Sequence, residues 1–114
     1  MHELSIVMSI VEIANKEAVK NHIVEFEEIE LQIGSLSGIE LDALKFSWNV
    51  GIKNSTLEGA ELKIDFIQAK GKCMDCEEVF DIENFFSECP NCKSYLVEVL
   101  QGKELKIKHL VAKA

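Results

Sequence analysis

The sequence predicts an α+β fold in which two helices pack on a small sheet of three or four strands, with an inserted module around four cysteines. Apolar side chains recur at helical spacing in residues 3–21 and again after Ser37. Residues 28–33 and 61–66 alternate apolar and polar side chains, as half-buried strands do. Residues 70–94 lose this periodicity but contain all four cysteines, which indicates an insertion.

The first helix is predicted over residues 3–21. One of its faces carries only apolar side chains, namely Leu4, Val7, Met8, Val11, Ala14 and Ala18. The first strand follows at residues 28–33, where Ile29, Leu31 and Ile33 alternate with polar residues. These three side chains are therefore expected in the core.

The second helix is predicted to begin at a capping box, because Ser37 and Glu40 have the S-x-x-E spacing. Gly51 should end that helix, and a second strand should occupy residues 61–66. Beyond the cysteines, an apolar run at 95–100 and a last strand return the chain to its starting sheet. That last strand has Leu105, Ile107, His109 and Val111 on one face.

These elements divide the chain into an α+β domain, residues 1–69 plus 95–114, and a module at residues 70–94. At 114 residues the chain is long enough for one hydrophobic core, whereas the module is too small to bury much apolar surface by itself. A bound metal is the usual substitute for such a core.

Charge and composition argue against several classes of protein. The 20 acidic residues outnumber the 12 basic ones, and the resulting net charge of -8 argues against a nucleic-acid partner. No segment approaches the roughly 20 apolar residues of a membrane-spanning helix, and the first residues lack the features of a secretory signal. We therefore expect a cytoplasmic protein without a membrane partner, in which paired cysteines bind metal more often than they form disulfides.

The cysteines form two C-x-x-C pairs, Cys73 with Cys76 and Cys89 with Cys92, separated by twelve residues. Two such turns facing each other complete a closed tetrahedron of four thiolates, so we predict a structural zinc. Four reduced cysteines packed as small apolar residues, a redox dithiol and a rubredoxin-like iron site are the alternatives. Zinc would make this insertion a four-cysteine zinc module.

The N-terminus offers a second kind of metal site. The Met1 amine, the amide nitrogens of His2 and Glu3 and the His2 imidazole supply up to four nitrogen donors, and square-planar nitrogen coordination suits Ni(II) or Cu(II). Glu3 adds a carboxylate. Terminal residues are usually mobile and most terminal histidines bind nothing, and a carboxylate in a first helical turn is favoured without any metal. The chemistry alone therefore does not decide between these interpretations.

The two other histidines have simpler interpretations. His22 lies at the predicted end of the first helix, where an imidazolium complements the helix dipole. His109 is expected as a satisfied core or edge histidine of the last strand more than as a ligand, with an approach to the nickel from a neighbouring element as the alternative.

In combination, these motifs resemble the HypA/HybF family of hydrogenase-maturation nickel chaperones over essentially the whole chain. The resemblance rests on Met1-His2-Glu3-Leu4-Ser5, on a strand ending in Ile33-Gly34, on the two C-x-x-C pairs with Pro90 inside the second, and on Gly102-Lys103-Glu104-Leu105. It implies nickel bound by His2 with the backbone at His2 and Glu3, zinc bound by the four cysteines, and no catalytic activity.

The resemblance also implies partners. Nickel would pass, with the help of a HypB-like GTPase, to the large subunit of a [NiFe] hydrogenase, and some relatives also serve urease. Histidines that flank the cysteine pairs in some members are absent here between residues 23 and 108. The sequence leaves the oligomeric state open, a homodimer included.

Two rival functions remain at the level of sequence. A zinc-ribbon module that binds nucleic acid shares the cysteine spacing but needs a basic surface with exposed aromatics. An enzyme would need a nucleophile paired with a base, a phosphate-binding loop or an open zinc site, and the sequence shows none of these patterns.

Overall fold

The computed structural model describes residues 3–114 and contains two helices and six strands among them. In chain order these are α1 (Glu3–Lys20), β1 (Phe26–Gly34), α2 (Leu41–Gly51), β2 (Glu61–Ile67), β3 (Lys70–Cys73), β4 (Val79–Asp81), β5 (Val97–Gln101) and β6 (Leu105–Ala112). The strands form two three-stranded sheets, with orders β2-β1-β6 and β4-β3-β5. The predicted α+β class with two helices is confirmed.

Two compact units share these elements. The first, called the body here, contains the chain up to Leu31, Ile39–Ile64 and Ile107–Ala114. The second, called the cysteine unit, contains Gln32–Gly38 and Asp65–Lys106. The cysteine unit is wider than the predicted module at residues 70–94, because it also contains Gln32–Gly38 and residues on both sides of the module. Which residues fold around a metal stays a prediction.

The core of the body is built on α1. Val7, Ile10, Val11, Ala14 and Ala18 are buried on one helical face. Leu4 and Met8, which share the predicted apolar face, are instead about half exposed, at 45% and 49%. The helix therefore buries a face slightly rotated from the predicted one.

The strand β1 has the predicted alternation. Ile29, Leu31 and Ile33 are buried, whereas Glu28 and Glu30 are only partly covered and lie on the opposite face. On β2, by contrast, Phe66 is half exposed, although its spacing predicts a shared face with Leu62 and Ile64.

The predicted capping box of α2 is wrong. The N-cap residue is Glu40, whose extended backbone allows its own Oε1 to accept a hydrogen bond from the Asp42 amide at 3.4 Å. Ser37 lies three residues earlier, outside the helix. The predicted end at Gly51 is confirmed, and the Ile52 amide donates to the Trp48 carbonyl oxygen across it.

The apolar run at residues 95–100 does not return to the first sheet. It contributes β5, which pairs antiparallel with β3, while β4 pairs antiparallel with the other edge of β3. Of the two strands after the cysteines, only β6 belongs to the first sheet, where it pairs with β1. Gly71 at the centre of β3 makes this pairing close, because a Cβ there would lie 2.6 Å from a methyl group of Val97.

Within the described part of the chain, no helix has the length and apolar character that crossing a bilayer requires.

Candidate metal centre

The first cysteine pair spans a tight turn that begins at Cys73, the last residue of β3. The Cys73 carbonyl oxygen accepts from the Glu77 amide at 2.9 Å, and the Cys73 amide donates to the Glu78 carbonyl oxygen at 2.8 Å. Glu77 has a φ of 67°, a left-handed conformation that costs a residue with a Cβ roughly 1–2 kcal/mol. The turn therefore reverses the chain so that both cysteines face the same side.

The second cysteine pair repeats this geometry. The Cys89 carbonyl oxygen accepts from the Lys93 amide at 2.9 Å, and the Cys89 amide donates to the Ser94 carbonyl oxygen at 2.8 Å. Lys93, like Glu77, is left-handed, with a φ of 66°. Neither position is a glycine, so the sequence did not indicate this conformation. Because it occurs in both turns, we attribute it to the backbone geometry that the two turns share.

The two turns bring the four sulfurs together. All four Sγ atoms lie within 4.8 Å of one another, and the pairs Cys73–Cys92 and Cys76–Cys89 are each 3.5 Å apart. Zn–S bonds of about 2.3 Å in a tetrahedron place sulfurs roughly 3.8 Å apart, so the spacing suits a four-thiolate ion. It is far too long for a disulfide, whose S–S bond is about 2.05 Å.

Hydrogen bonds donated to the sulfur atoms favour their thiolate form. The Cys76 amide approaches Cys73 Sγ at 3.5 Å, the Cys92 amide approaches Cys89 Sγ at 3.4 Å, and Asn91 Nδ2 approaches Cys76 Sγ at 3.6 Å. Donors directed at sulfur favour the thiolate, the form that binds metal.

The pKa values of the cysteines indicate that the four sulfurs need a cation in order to be ionised together. The backbone amide of Cys76, against the effect of burial, lowers the pKa of Cys73 to about 7. Cys92 behaves oppositely: the Ser94 amide favours its thiolate, but the contact with Cys73, burial and the other thiols outweigh it and raise its pKa to about 12. Four adjacent thiolates therefore need a positive ion among them, which a divalent metal supplies.

A polar bridge fixes the two turns relative to each other. Ser94 Oγ donates to Asp75 Oδ2 at 2.6 Å, and the Met74 amide donates to the Leu96 carbonyl oxygen at 2.9 Å. Cys73 and Cys89 are buried, whereas Cys76 and Cys92 are exposed. Two cysteines of the cluster are thus covered by the protein and two face solvent.

The predicted nickel ligands Met1 and His2 lie outside the described residues, so the N-terminal site stays a prediction. Glu3, the third predicted residue, begins α1. Its Oε2 accepts from the Glu40 amide at 3.3 Å, which ties the start of α1 to the N-cap of α2. This contact is a structural role that the sequence did not indicate.

His22 follows α1 as part of a Schellman turn. It has a φ of 57°, its amide donates to Val19, and the next amide, of Ile23, donates to the Ala18 carbonyl oxygen at 2.8 Å. His22 is therefore just beyond the helix end, close to its predicted place.

His109 lies on β6, which is an edge strand of its sheet. Of the two predicted environments, core or edge, the structure has the edge. The partners of His109 are charged, however: Nε2 lies 2.7 Å from Glu28 Oε2 and 3.7 Å from Glu30 Oε1. Sequence reasoning missed this cluster, since only the same-face spacing of the two glutamates on β1 hinted at it.

Fold and site together define a small α+β protein with a preformed four-thiolate metal centre. The sequence matches the family described as "Hydrogenase/urease nickel incorporation, metallochaperone, hypA" over residues 1–112. The chain belongs to this HypA family, whose members are metallochaperones that act in hydrogenase maturation and are not enzymes. The chain's role in turn implies contact with the maturation machinery.

Individual relatives agree with this assignment. The chain is 47% identical over 113 residues to the hydrogenase maturation factor HypA of Parabacteroides distasonis, covering 99% of this chain and 98% of the relative. It is 36% identical over 110 residues to HypA of Chlorobaculum parvum, covering 96% and 97%. The solution structure of the Ni metallochaperone HypA from Helicobacter pylori matches with a TM-score of 0.68 at 27% identity, covering 100% of this chain and 99% of that one.

Proposed function

We propose that this chain carries Ni(II) at its N-terminus and delivers it for assembly of a [NiFe] hydrogenase active site. The observation that supports this most is the closed geometry of the cysteine cluster. Four sulfurs at tetrahedral spacing leave no coordination position for exchange, and two of the cysteines are buried. A nickel chaperone must therefore hold its cargo elsewhere.

The N-terminal residues offer a suitable place. Ni(II) favours square-planar nitrogen donors, which the Met1 amine, the His2 imidazole and the amides of His2 and Glu3 together provide. Glu3 contributes either a carboxylate ligand or a partner that orients the imidazole. An open site of few residues also allows the metal to be passed on.

The cysteine cluster in turn holds zinc as a structural ion. Zn(II) has no geometric preference from its d electrons and accepts a tetrahedron of thiolates, whereas Ni(II) prefers square-planar or octahedral ligands. We assign zinc binding to the module at residues 70–94 and nickel binding to the domain at residues 1–69 plus 95–114. The domain and the module thus serve different metals.

Delivery involves a HypB-like GTPase and the hydrogenase large subunit in the cytoplasm, where four reduced cysteines are stable. The net charge of -8 favours a basic docking surface on a partner. Urease is the second candidate client, because the family description names it beside hydrogenase. Whether the chain acts as a monomer or a homodimer is tested by sedimentation with and without nickel.

The deciding experiment is a nickel titration of the zinc-loaded, untagged chain beside His2→Ala. His22→Ala serves as the matched control, because His22 is an exposed histidine in a turn. In the wild-type chain and in the control, one nickel per chain should show the diamagnetic spectrum of a square-planar ion. His2→Ala should lose that spectrum and keep one zinc.

Two results would contradict the proposal. The same square-planar signal in His2→Ala would remove the N-terminus from the site. Displacement of zinc by stoichiometric nickel in the wild-type chain would place the cargo in the cysteines instead.

A further inference from the structure

Three side chains of the kinds that bind metal ions meet on the body, and none of them belongs to the cysteine unit. Glu28 and Glu30 lie two residues apart on β1 and share the face opposite the buried Ile29, and His109 reaches them from β6. One ligand atom of each residue lies within 4.8 Å of the other two. The two carboxylate side chains are only 21% and 19% exposed, while the imidazole is 41% exposed.

Each carboxylate divides its two oxygens between two partners. Glu28 directs Oε1 to Lys63 Nζ at 2.8 Å and Oε2 to His109 Nε2 at 2.7 Å. Glu30 directs Oε2 to Lys108 Nζ at 3.5 Å and Oε1 towards the same imidazole nitrogen at 3.7 Å. The lysines therefore orient the carboxylates so that one oxygen of each is turned to His109, as partners outside a metal's ligands commonly do.

The distances suit a shared ion. Metal–nitrogen and metal–oxygen bonds of about 2.1 Å place neighbouring donors on one ion roughly 3–3.5 Å apart. The measured separations of 2.7 and 3.7 Å bracket that range, and small rotations of the side chains close the difference. Both strands are paired, so the backbone holds the donors in place without a metal.

We propose that Glu28, Glu30 and His109 form a second, open site for a divalent first-row metal ion, which takes Ni(II) when the chain is exposed to it. One imidazole nitrogen and two carboxylate oxygens are ligands such ions accept, and they leave three positions of an octahedron for water. The site differs from the cysteine cluster in donor type and openness. It involves none of the N-terminal donors, so it does not depend on the function proposed for His2.

The test uses the zinc-loaded full chain carrying His2→Ala, titrated with a Ni(II) salt in a weakly coordinating buffer. Calorimetry measures the affinity, and amide NMR spectra locate the ion, because octahedral nickel with nitrogen and oxygen ligands is paramagnetic and broadens nearby signals. Signals of Glu28, Glu30 and His109 should broaden first. Adding His109→Ala should weaken binding by more than about 100-fold, since losing even a partner behind a ligand commonly costs 10–100-fold.

Two further variants complete the design. Glu28→Gln keeps the size of the side chain but removes a charged ligand, so it should also weaken binding; His22→Ala should leave it unchanged. Equal nickel affinity in the His109 and His22 variants, or broadening of NMR signals all over the acidic surface, would overturn the proposal. Either result would mean that the three side chains form only an ion-pair network. A failure of the N-terminal site shows instead as a square-planar signal that survives His2→Ala, so the two failures are distinguishable.

Discussion

Replacing Cys73 by serine should release the metal and unfold the cysteine unit. The Cys73 sulfur lies 3.5 Å from Cys92 Sγ, and Cys73 is fully buried, so its loss removes one thiolate from the covered side of the cluster. A serine hydroxyl is a much weaker ligand, because it remains protonated at neutral pH. The tetrahedron would keep only three thiolates.

The magnitude follows from what else holds this unit together. Apart from its cysteines, the buried apolar side chains of the cysteine unit are Ile33, Ala69 and Ile82. Burying the two isoleucines contributes about 1.5–3 kcal/mol each. Structural zinc contributes about 10–16 kcal/mol in zinc-finger peptides. A bound zinc therefore stabilises this unit more than its small apolar core does, and the core should not keep the unit folded once the metal is lost.

Metal analysis and hydrogen exchange measure the effect together. Bound zinc should fall from one equivalent to a small fraction, and the amides of β3 and β5 should lose protection while those buried in α1 keep theirs. Met74→Ser is the matched control, because Met74 is the next residue and is 52% exposed. Stoichiometric zinc and normal β3 protection in Cys73→Ser would refute the reasoning.

Three other perturbations test the fold and the charged cluster. Trp48→Ala, at a buried position of α2, should cost about 3–5 kcal/mol of unfolding free energy in urea, whereas Phe46→Ala, 76% exposed on the same helix, should cost little; equal effects would contradict the described core. Gly102→Ala should lower the urea midpoint because a φ of 114° and a collision with Ala69 oppose a Cβ, while Gly59→Ala has space and should not. The pKa of Glu28 lies below its ordinary value of 4.5, first through the hydrogen bond from Lys63 and then that from His109. The ionised Glu28 therefore stabilises the fold at pH values above its unfolded-state pKa, and this stabilisation is lost as the pH falls through its folded-state pKa. Without nickel, the urea midpoint of Glu28→Gln should fall less steeply over that acid range than the midpoint of the wild-type chain. An unchanged pH profile of the midpoint would contradict this prediction.

The parts of the fold that the sequence predicted correctly are those set by local periodicity. Burial of Ile29, Leu31 and Ile33 follows from alternation alone, because any sheet with one covered face selects the same residues. The cysteine cluster was also predictable, since two C-x-x-C turns at this spacing have few other uses. Neither inference needed knowledge of strand order.

The wrong predictions involve choices between partners that are distant in sequence. The apolar run ending in Leu100 suits either sheet, and only its antiparallel register with β3, across Gly71, assigns it to the second one. The capping box failed for a similar reason, because Ser37 has the right spacing but the helix begins after Glu40. The cluster of Glu28 with His109 joins residues from opposite ends of the chain, which no local pattern reports.

The proposed metal sites differ in a way that would keep cargo and structural ion apart. Affinity alone does not separate nickel from zinc, because the two ions lie close together in the order of divalent affinities, so geometry and donor type must. The two cysteine turns offer four thiolates at a spacing that fits a tetrahedral ion, whereas Ni(II) prefers square-planar or octahedral ligands. Open nitrogen and oxygen donors impose no such geometry and exchange ligands with water. An ion held by them remains accessible to a partner, whereas the ion in the cysteines can leave only if its turns open.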